Sequence, residues 1–155
     1  MTQIPQDDEA KQWQLEEALT EVTLPAGVMV RPWREEDALA IARLSAIEDW
    51  PTPSARPEET SAAWHNSWPA LLALEHDEVI GFLRALTDGN VTMYIGELLV
   101  APSYRGRGIA RALLDVCHAL YPRVRLDLLA TDESISFYEV YGFRRRHIAM
   151  RKSYF

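Results

Sequence analysis

Residues 97–114 read ELLVAPSYRGRGIARALL: an apolar run, a proline, two glycines set among arginines, and a second apolar run with helical spacing. The first run predicts a strand that stops at Pro102, and the second predicts a helix that begins near Gly108. A glycine-rich turn between a strand and a helix brings unpaired backbone N–H groups to the positive end of the helix dipole. Because glycine lets an anion approach the backbone closely, this stretch predicts a site for a phosphate-like group.

Before and after this stretch, segments with the apolar spacing of a strand alternate with segments that have the apolar spacing of a helix. Predicted strands cover residues 28–33, 70–75, 79–86, 91–100, 125–130 and 143–154. Predicted helices cover residues 7–22, 35–47, 58–66, 108–121 and 133–141, and the proline-rich segment 49–57 is expected to be irregular. This order predicts a single-domain α/β fold of mixed (α+β) character. We expect a twisted mixed sheet of about six to seven strands with helices on both faces.

The composition is that of one globular domain and limits the kinds of partner. The 155 residues suffice for one core, and a formal net charge of −7 argues against non-specific binding to nucleic acid. No apolar run reaches the roughly 18–20 residues that span a membrane. The first nine residues are polar and acidic, unlike a secretory signal. The single cysteine, Cys117, excludes an intrachain disulfide, so we expect a cytoplasmic protein.

Two motifs in the second half of the chain resemble those of one enzyme family. The first is Arg105-x-x-Gly108-x-Ala110, directly after the strand that ends in Val100, and the second is FYEVYGF at residues 137–143. In their order and separation these motifs resemble the GNAT superfamily of N-acetyltransferases, which move an acetyl group from acetyl-CoA to an amine. The resemblance covers residues 28–155 as an acetyltransferase domain and leaves residues 1–27 as a partly helical N-terminal arm.

The resemblance implies that acetyl-CoA binds along the glycine-rich loop and the strand before it. Backbone N–H groups of residues 107–111 would cradle the diphosphate, with the arginines of the loop beside it. The exposed edge of the strand would pair with the amide-rich pantetheine arm. We expect no metal ion beside acetyl-CoA. The residues that it assigns to the cofactor are Leu98, Leu99, Val100, Arg105, Gly106, Arg107, Gly108, Ile109, Ala110, Arg111, Thr131, Ser134, Phe137 and Tyr138.

Tyr138 matches the tyrosine that, in the family, protonates or stabilises the departing CoA thiolate. A phenol suits this role because it is protonated at neutral pH and can donate to a developing anion. Two residues depart from the family's usual pattern, since Thr131 stands where asparagine is common and Ser134 where alanine is common. Their hydroxyl groups can still form hydrogen bonds to the pantetheine.

Glu97 is the candidate for activating the acceptor amine. Attack requires a neutral amine, and most amines are protonated at pH 7, so a base or a proton-conducting chain of waters is expected. Glu97 interrupts an apolar run, and burial in such a strand suits a carboxylate for proton transfer near neutral pH. A second role stays open, in which the carboxylate lies at the rim and holds the acceptor's ammonium group as a fixed charge.

The acceptor itself has no recognisable motif. Trp33, Trp50, Trp64 and Trp68 lie in the half of the chain that forms the acceptor site in similar proteins, either as its walls or as core residues. The four histidines have no metal-binding spacing. The alternative to an enzyme is a catalytically silent acyl-CoA-binding accessory domain. The N-terminal arm and exposed strand ends favour a homodimer.

Overall fold

Five strands form one sheet in the computed structural model, which describes residues 3–154. The strands are β1 (Met29–Pro32), β2 (Ala70–Glu75), β3 (Glu78–Thr87), β4 (Thr92–Val100) and β5 (Arg125–Leu128). Neighbours follow chain order and pair antiparallel, except that β4 and β5 pair parallel. The predicted mixed α/β fold is confirmed, with five strands instead of six to seven. Met1, Thr2 and Phe155, at the ends of the predicted arm and domain, lie outside the described residues.

The helices within residues 3–154 are α1 (Asp8–Leu19), α2 (Ala38–Ile47), α3 (Thr52–Ala55), α4 (Pro57–His65), α5 (Ile109–Leu120) and α6 (Ile135–Tyr141). Asp7 caps α1 by accepting a hydrogen bond from Ala10 N at 2.8 Å. The segment predicted to be irregular contains the short α3, because prolines are tolerated in the first turn of a helix. In this part of the chain, no helix is both long and apolar enough to cross a membrane.

The two faces of the sheet are covered by different helices. On one face α1 and α5 contribute Leu15 and Leu113, both fully buried, to the larger core cluster. On the other face α2 and α4 contribute Ile41 and Trp64 to a second cluster. Truncating a buried leucine such as Leu15 to alanine costs about 2–5 kcal/mol. The N-terminal helix therefore stabilises the same core as the sheet.

The predicted C-terminal strand over residues 143–154 is wrong. Phe143 packs against the core, but residues 144–154 are exposed and have no strand partner. Alternating apolar residues favour an extended segment, and such a segment becomes a strand only when a neighbouring edge supplies its hydrogen bonds. Strand β5 also ends at Leu128, two residues before the predicted end.

Candidate active site

The loop between β4 and α5 turns through two glycines in the left-handed conformation. A short 3₁₀ turn, Pro102–Tyr104, follows β4, and Gly106 and Gly108 have φ values of +76° and +82°. A Cβ added at Gly106 would meet no atom within 4 Å, and one at Gly108 would meet only Pro25 Cγ at 4.0 Å. Backbone conformation rather than crowding therefore requires glycine here, and the space beside both residues is open to a ligand.

The N-terminus of α5 presents backbone donors that no neighbouring group uses. Its first hydrogen bond runs from Ala112 N to Gly108 O at 2.9 Å, and Gly108 has no side chain to act as a cap. Within residues 3–154, the N–H groups of Ile109, Ala110 and Arg111 therefore have no acceptor. The helix dipole adds positive potential at the same point, so this end of α5 favours an anion.

Strand β4 is longer than its parallel neighbour, which leaves part of one edge open. Strand β5 pairs with residues 92–95 and ends at Leu128, whereas β4 continues to Val100. On its other edge β4 stays paired with β3 up to Val100. Residues 96–100 therefore have no strand partner on the β5 side in the described part of the chain. An extended ligand with amide groups can pair with such an edge.

The arginines of the loop are paired with carboxylates from distant parts of the chain. Arg105 Nε donates to Val100 O at 3.0 Å, and its guanidinium forms an ion pair with Glu48. Arg107 donates to Glu75 Oε1 at 2.6 Å, and this bond raises the pKa of Arg107 and lowers that of Glu75. Sequence reasoning missed both glutamates because they lie 57 and 32 residues away along the chain.

Two of the predicted cofactor residues bond to each other at the start of α6. Thr131 N donates to Ser134 Oγ at 2.9 Å, and Ser134 N donates to Thr131 O at 3.1 Å. This turn fixes where α6 begins. At its far end α6 stops at Gly142, whose φ of +114° favours glycine.

Tyr138 lies in α6 between two aromatic neighbours. Its ring centroid lies 5.1 Å from that of Phe137 and 5.4 Å from that of Phe143. Burial raises the pKa of Tyr138, so the phenol is protonated at neutral pH. No residue among 3–154 forms a hydrogen bond with its hydroxyl group. The hydroxyl can therefore donate to a ligand without first breaking a bond within the protein.

Glu97 pairs with an arginine on the neighbouring strand. Arg84 Nε donates to Glu97 Oε2 at 3.0 Å, and Arg84 Nη1 donates to Ser67 Oγ at 3.1 Å. A β-bulge after Arg84 leaves Gly96 as an extra residue of β4, where an added Cβ would lie 3.3 Å from Arg84 Nη2. Gly96 therefore makes room for the guanidinium. The side chain of Glu97 is 26% exposed, so its carboxylate lies in an ion pair near solvent instead of the apolar surroundings that we expected.

Sequence reasoning also missed Arg84. The signal was present, because Arg84 is the one charged residue in the apolar run VIGFLRAL of residues 79–86. What the sequence does not show is that Arg84 and Glu97 occupy register-paired positions.

The structure distributes the predicted site residues over both faces of the sheet. Leu98, Ala110 and Tyr138 pack against the core cluster on the face of α1 and α5. Leu99 belongs to the cluster on the opposite face, and Glu97, two residues earlier, shares that side. Leu98, Ala110 and Tyr138 therefore lie on one side of the sheet, and Glu97 lies on the other.

Other conspicuous side chains belong to the core or carry no ligand chemistry. Trp64 and Trp68 are buried, and Trp64 packs edge-on against Phe82 with a centroid distance of 5.4 Å. Cys117 is fully buried, and burial raises the pKa of its thiol, so it is a core residue. Among residues 3–154, no group of three or more His, Cys, Asp or Glu side chains could hold a metal ion.

Comparison with sequence families and curated proteins identifies one family. A sequence model described as an acetyltransferase (GNAT) domain matches residues 66–145, which is just over half of the chain. Glucosamine 6-phosphate N-acetyltransferase of Trypanosoma brucei brucei is 35% identical over 66 residues, which cover 41% of this chain and 45% of that protein. The chain thus matches less than half of the length of this curated relative.

Comparison with solved structures extends the likeness to most of the chain. A candidate acetyltransferase of Deinococcus radiodurans R1 superposes with a TM-score of 0.64 and 26% identity, covering 83% of this chain and 90% of that one. A GNAT family acetyltransferase of Streptococcus pneumoniae TIGR4 gives a TM-score of 0.64 at 21% identity, covering 81% of this chain and 98% of that one. At 21% identity, the likeness to the Streptococcus pneumoniae protein shows a shared fold and no more.

Proposed function

Because the chain belongs to the GNAT acetyltransferase family, we propose that it transfers an acetyl group from acetyl-CoA to a primary amine of a small molecule or peptide. Transfer would be direct, with both substrates bound together. The observation that carries this proposal is that β4 runs past the end of β5 and leads into an α5 N-terminus with unused N–H groups. One continuous surface thus offers backbone pairing to amides and an anion site to a diphosphate.

The residues of this surface fit acetyl-CoA. The edge at residues 96–100 has no strand partner on the β5 side in the described chain, and the first N–H groups of α5 have no acceptor there. The two loop glycines leave open space. Arg105 and Arg107 are held by Glu48 and Glu75. We therefore assign the diphosphate to the backbone N–H groups of residues 107–111, and give the two arginines a neighbouring electrostatic role. Thr131 and Ser134 would face the pantetheine arm.

Tyr138 is assigned the role of general acid. When bound, acetyl-CoA supplies an acetyl group activated as a thioester. The hydroxyl group of Tyr138 would donate its proton to the departing sulfur, or stabilise it by a hydrogen bond. This assignment is supported by the raised pKa of the phenol and by its lack of a hydrogen-bond partner within residues 3–154. Holding the amine next to the thioester would supply much of the remaining rate acceleration.

Glu97 is assigned to the acceptor amine, in one of two roles. As a base it would remove a proton from the ammonium group, and as a fixed charge it would bind that group without accepting the proton. Its hydrogen bond from Arg84 fixes the direction in which the carboxylate points. We propose that Arg84 positions Glu97 in either role, because it also bonds to Ser67 and so ties Glu97 to the segment between α4 and β2.

The same proposal extends to location and assembly. We place the protein in the cytoplasm, since its single cysteine is buried and unpaired and so suits a reducing compartment. We also propose that it works as a homodimer, with acetyl-CoA and the amine as its substrates and with no nucleic acid or membrane as a partner.

An acetyl-CoA turnover screen tests the proposal. The chain is incubated with acetyl-CoA and a panel of amino sugars, polyamines, amino acids, aminoglycosides and peptides, and free CoA is measured by its thiol. Calorimetric titration with CoA runs in parallel. We expect tight CoA binding and turnover on at least one amine. Binding without turnover on any amine would instead favour the silent accessory domain, and absence of binding would overturn the cofactor assignment.

A further inference from the structure

A groove lies along the N-terminal helix, apart from the surface assigned to acetyl-CoA. It has a volume of about 610 Å³ and is formed by residues 3–7, one side of α1 and the end of α5. Ala18 of α1 and Leu120 of α5, both buried, give it an apolar base. We call it the α1 groove. Its volume and its apolar base are typical of sites for small molecules.

Trp13 is the aromatic side chain of the α1 groove, and it is 65% exposed. Ala10 and Glu17, one turn before and one turn after it on α1, line the groove as well. This side of the helix therefore faces the groove along its length. An exposed indole beside an apolar base can pack against an alkyl chain and can attract a cation.

The charges of the α1 groove all have one sign. Among its described lining residues, every charged side chain is acidic, namely Asp7, Glu17 and Glu21. Within residues 3–154, neither Glu17 nor Glu21 forms an ion pair. Two carboxylates one turn apart repel each other, and α1 has no basic residue in its last turn to offset them. A bound cation would relieve this repulsion.

The end of α5 adds negative potential to the same groove. Ala119 and Leu120 are the last residues of this helix, and Pro122, which follows, has no N–H group. Within residues 3–154, no donor forms a hydrogen bond with the carbonyl oxygen of Ala119 or Leu120. The C-terminal end of a helix favours a cation, so main-chain and side-chain charges agree here.

We propose that the α1 groove binds a linear aliphatic diamine or a longer polyamine, with its alkyl chain against Trp13 and its ammonium groups at Glu17 and Glu21. The two glutamates lie about 5–6 Å apart, which is roughly the separation of two ammonium groups joined by a short alkyl chain. A metal ion would make no use of the apolar base, and a monoamine would pair with one carboxylate only.

This site is separate from the proposed site of acetyl transfer. Neither Glu97 nor Tyr138 lines the α1 groove, and none of the residues assigned to acetyl-CoA does. The ligand of the groove is therefore an effector and not the amine that is acetylated. The proposal does not rest on the proposed activity.

The test is a titration of the full chain, without acetyl-CoA, followed by nuclear magnetic resonance. The indole N–H signal of Trp13 is identified by its loss in Trp13→Phe. We expect 1,4-diaminobutane to shift this signal and to reach saturation. With 1-aminobutane, which has the same alkyl chain and one charge, we expect binding to be at least about tenfold weaker. Mg²⁺, a dication without an alkyl chain, should give no saturable shift.

Two variants with the same net charge locate the site on α1. Glu17→Gln/Glu21→Gln should weaken the binding of 1,4-diaminobutane about tenfold, because both ammonium groups lose their carboxylates. The matched control is Glu9→Gln/Glu16→Gln, since both residues are exposed on the same helix and neither lines the groove. We expect the control to bind like wild type, and circular dichroism verifies that the variants are folded.

Three results would overturn the proposal: no saturable shift of the Trp13 signal, equal affinity for 1-aminobutane or Mg²⁺, or equal loss of affinity in the two double variants. Glu97→Gln should leave the titration unchanged. Loss of the shift in this variant would assign the diamine to the proposed acceptor site and would also contradict the proposal. Because no turnover is measured, a negative result here and a failure of the proposed acetyl transfer are separate findings.

Discussion

The proposed donor site and the proposed acceptor site are built from different parts of the chain. The donor site consists mainly of main-chain groups, namely the open edge of β4 at residues 96–100 and the N–H groups at the start of α5. The acceptor site depends on the side chains of Ser67, Arg84 and Glu97, which come from three separate segments. The donor site is thus contiguous in sequence, and the acceptor site exists only after the strands have paired.

This difference has a physical consequence for how each site responds to mutation. A main-chain site changes when backbone conformation changes, so substitutions at glycines with positive φ should act most strongly on it. A side-chain site changes when one partner of an ion pair is lost. Substitutions that remove a charge but keep the shape of the side chain should therefore act most strongly there. The following variants test this distinction, beginning with the largest expected effect.

Gly108→Val should abolish binding of CoA. A β-branched residue is strained at φ +82°, and the loop must move away from the conformation that aims N–H groups at the diphosphate. Loss of two charge-assisted hydrogen bonds corresponds to an affinity at least about 100-fold lower. Calorimetric titration with CoA measures the effect.

The matched control for this variant is Gly89→Val, which imposes the same strain at φ +77° in the turn between β3 and β4, at the opposite end of β4. We expect it to lower stability and leave CoA affinity unchanged. Unchanged affinity in Gly108→Val would exclude the loop as the diphosphate site.

Glu97→Gln should lower kcat/KM for the amine by about 100-fold if the carboxylate is the base. The sign of the pH effect follows from the role: a base must be ionised, so wild-type activity falls as the pH falls and the carboxylate is protonated. The variant should then have no acidic limb in its pH–rate profile. Glu16→Gln on α1, at an exposed position, is the control.

The same experiment separates the two roles of Glu97. As a fixed charge it would contribute binding, so Glu97→Gln would raise KM for the amine and leave the acidic limb in place. Arg84→Gln sharpens the comparison, because it removes the donor that orients Glu97 without changing Glu97 itself. We expect a smaller loss of kcat/KM than in Glu97→Gln, with the acidic limb of the pH–rate profile retained.

Tyr138→Phe should lower kcat at least about tenfold and leave CoA affinity nearly unchanged, because only the donor to the departing thiolate is removed. Tyr141→Phe is the matched control on the same helix. The hydroxyl group of Tyr141 donates to Asp115 Oδ1 at 2.6 Å, and burial raises its pKa. The control should lower stability but not kcat. Wild-type turnover by Tyr138→Phe would remove Tyr138 as the acid.

The features that depend on local sequence could be predicted, and those that depend on contacts between distant residues could not. Strand β2 was predicted with its observed bounds, and α5 to within one residue at each end, because apolar spacing and the glycines are local signals. The position of the loop between β4 and α5 was predicted for the same reason. Local spacing also predicted a strand over residues 143–154, and this failed because a strand needs an edge from elsewhere.

The pairing of Arg84 with Glu97 could not be predicted, because it depends on the register of β3 with β4 and on the bulge at Gly96. A bulge of one residue moves every later side chain of a strand to the other face. No sequence pattern within either strand shows where that shift occurs. The carboxylates that pair with Arg105 and Arg107 were missed because these pairs also join residues that are distant in the sequence.

Glu75→Gln tests whether these carboxylates matter to the donor site, and it should have the smallest effect. Glu75 and Arg107 form an exposed pair, which stabilises the fold little. Removing the negative charge releases Arg107 toward an anion in the loop, so CoA affinity should rise by about two- to fivefold at low salt, and less at high salt. Glu78→Gln, in the same hairpin, is the control for net charge. Weaker CoA binding in Glu75→Gln would mean that Glu75 holds Arg107 in its binding position, and the donor site would then also depend on side chains that are distant in sequence.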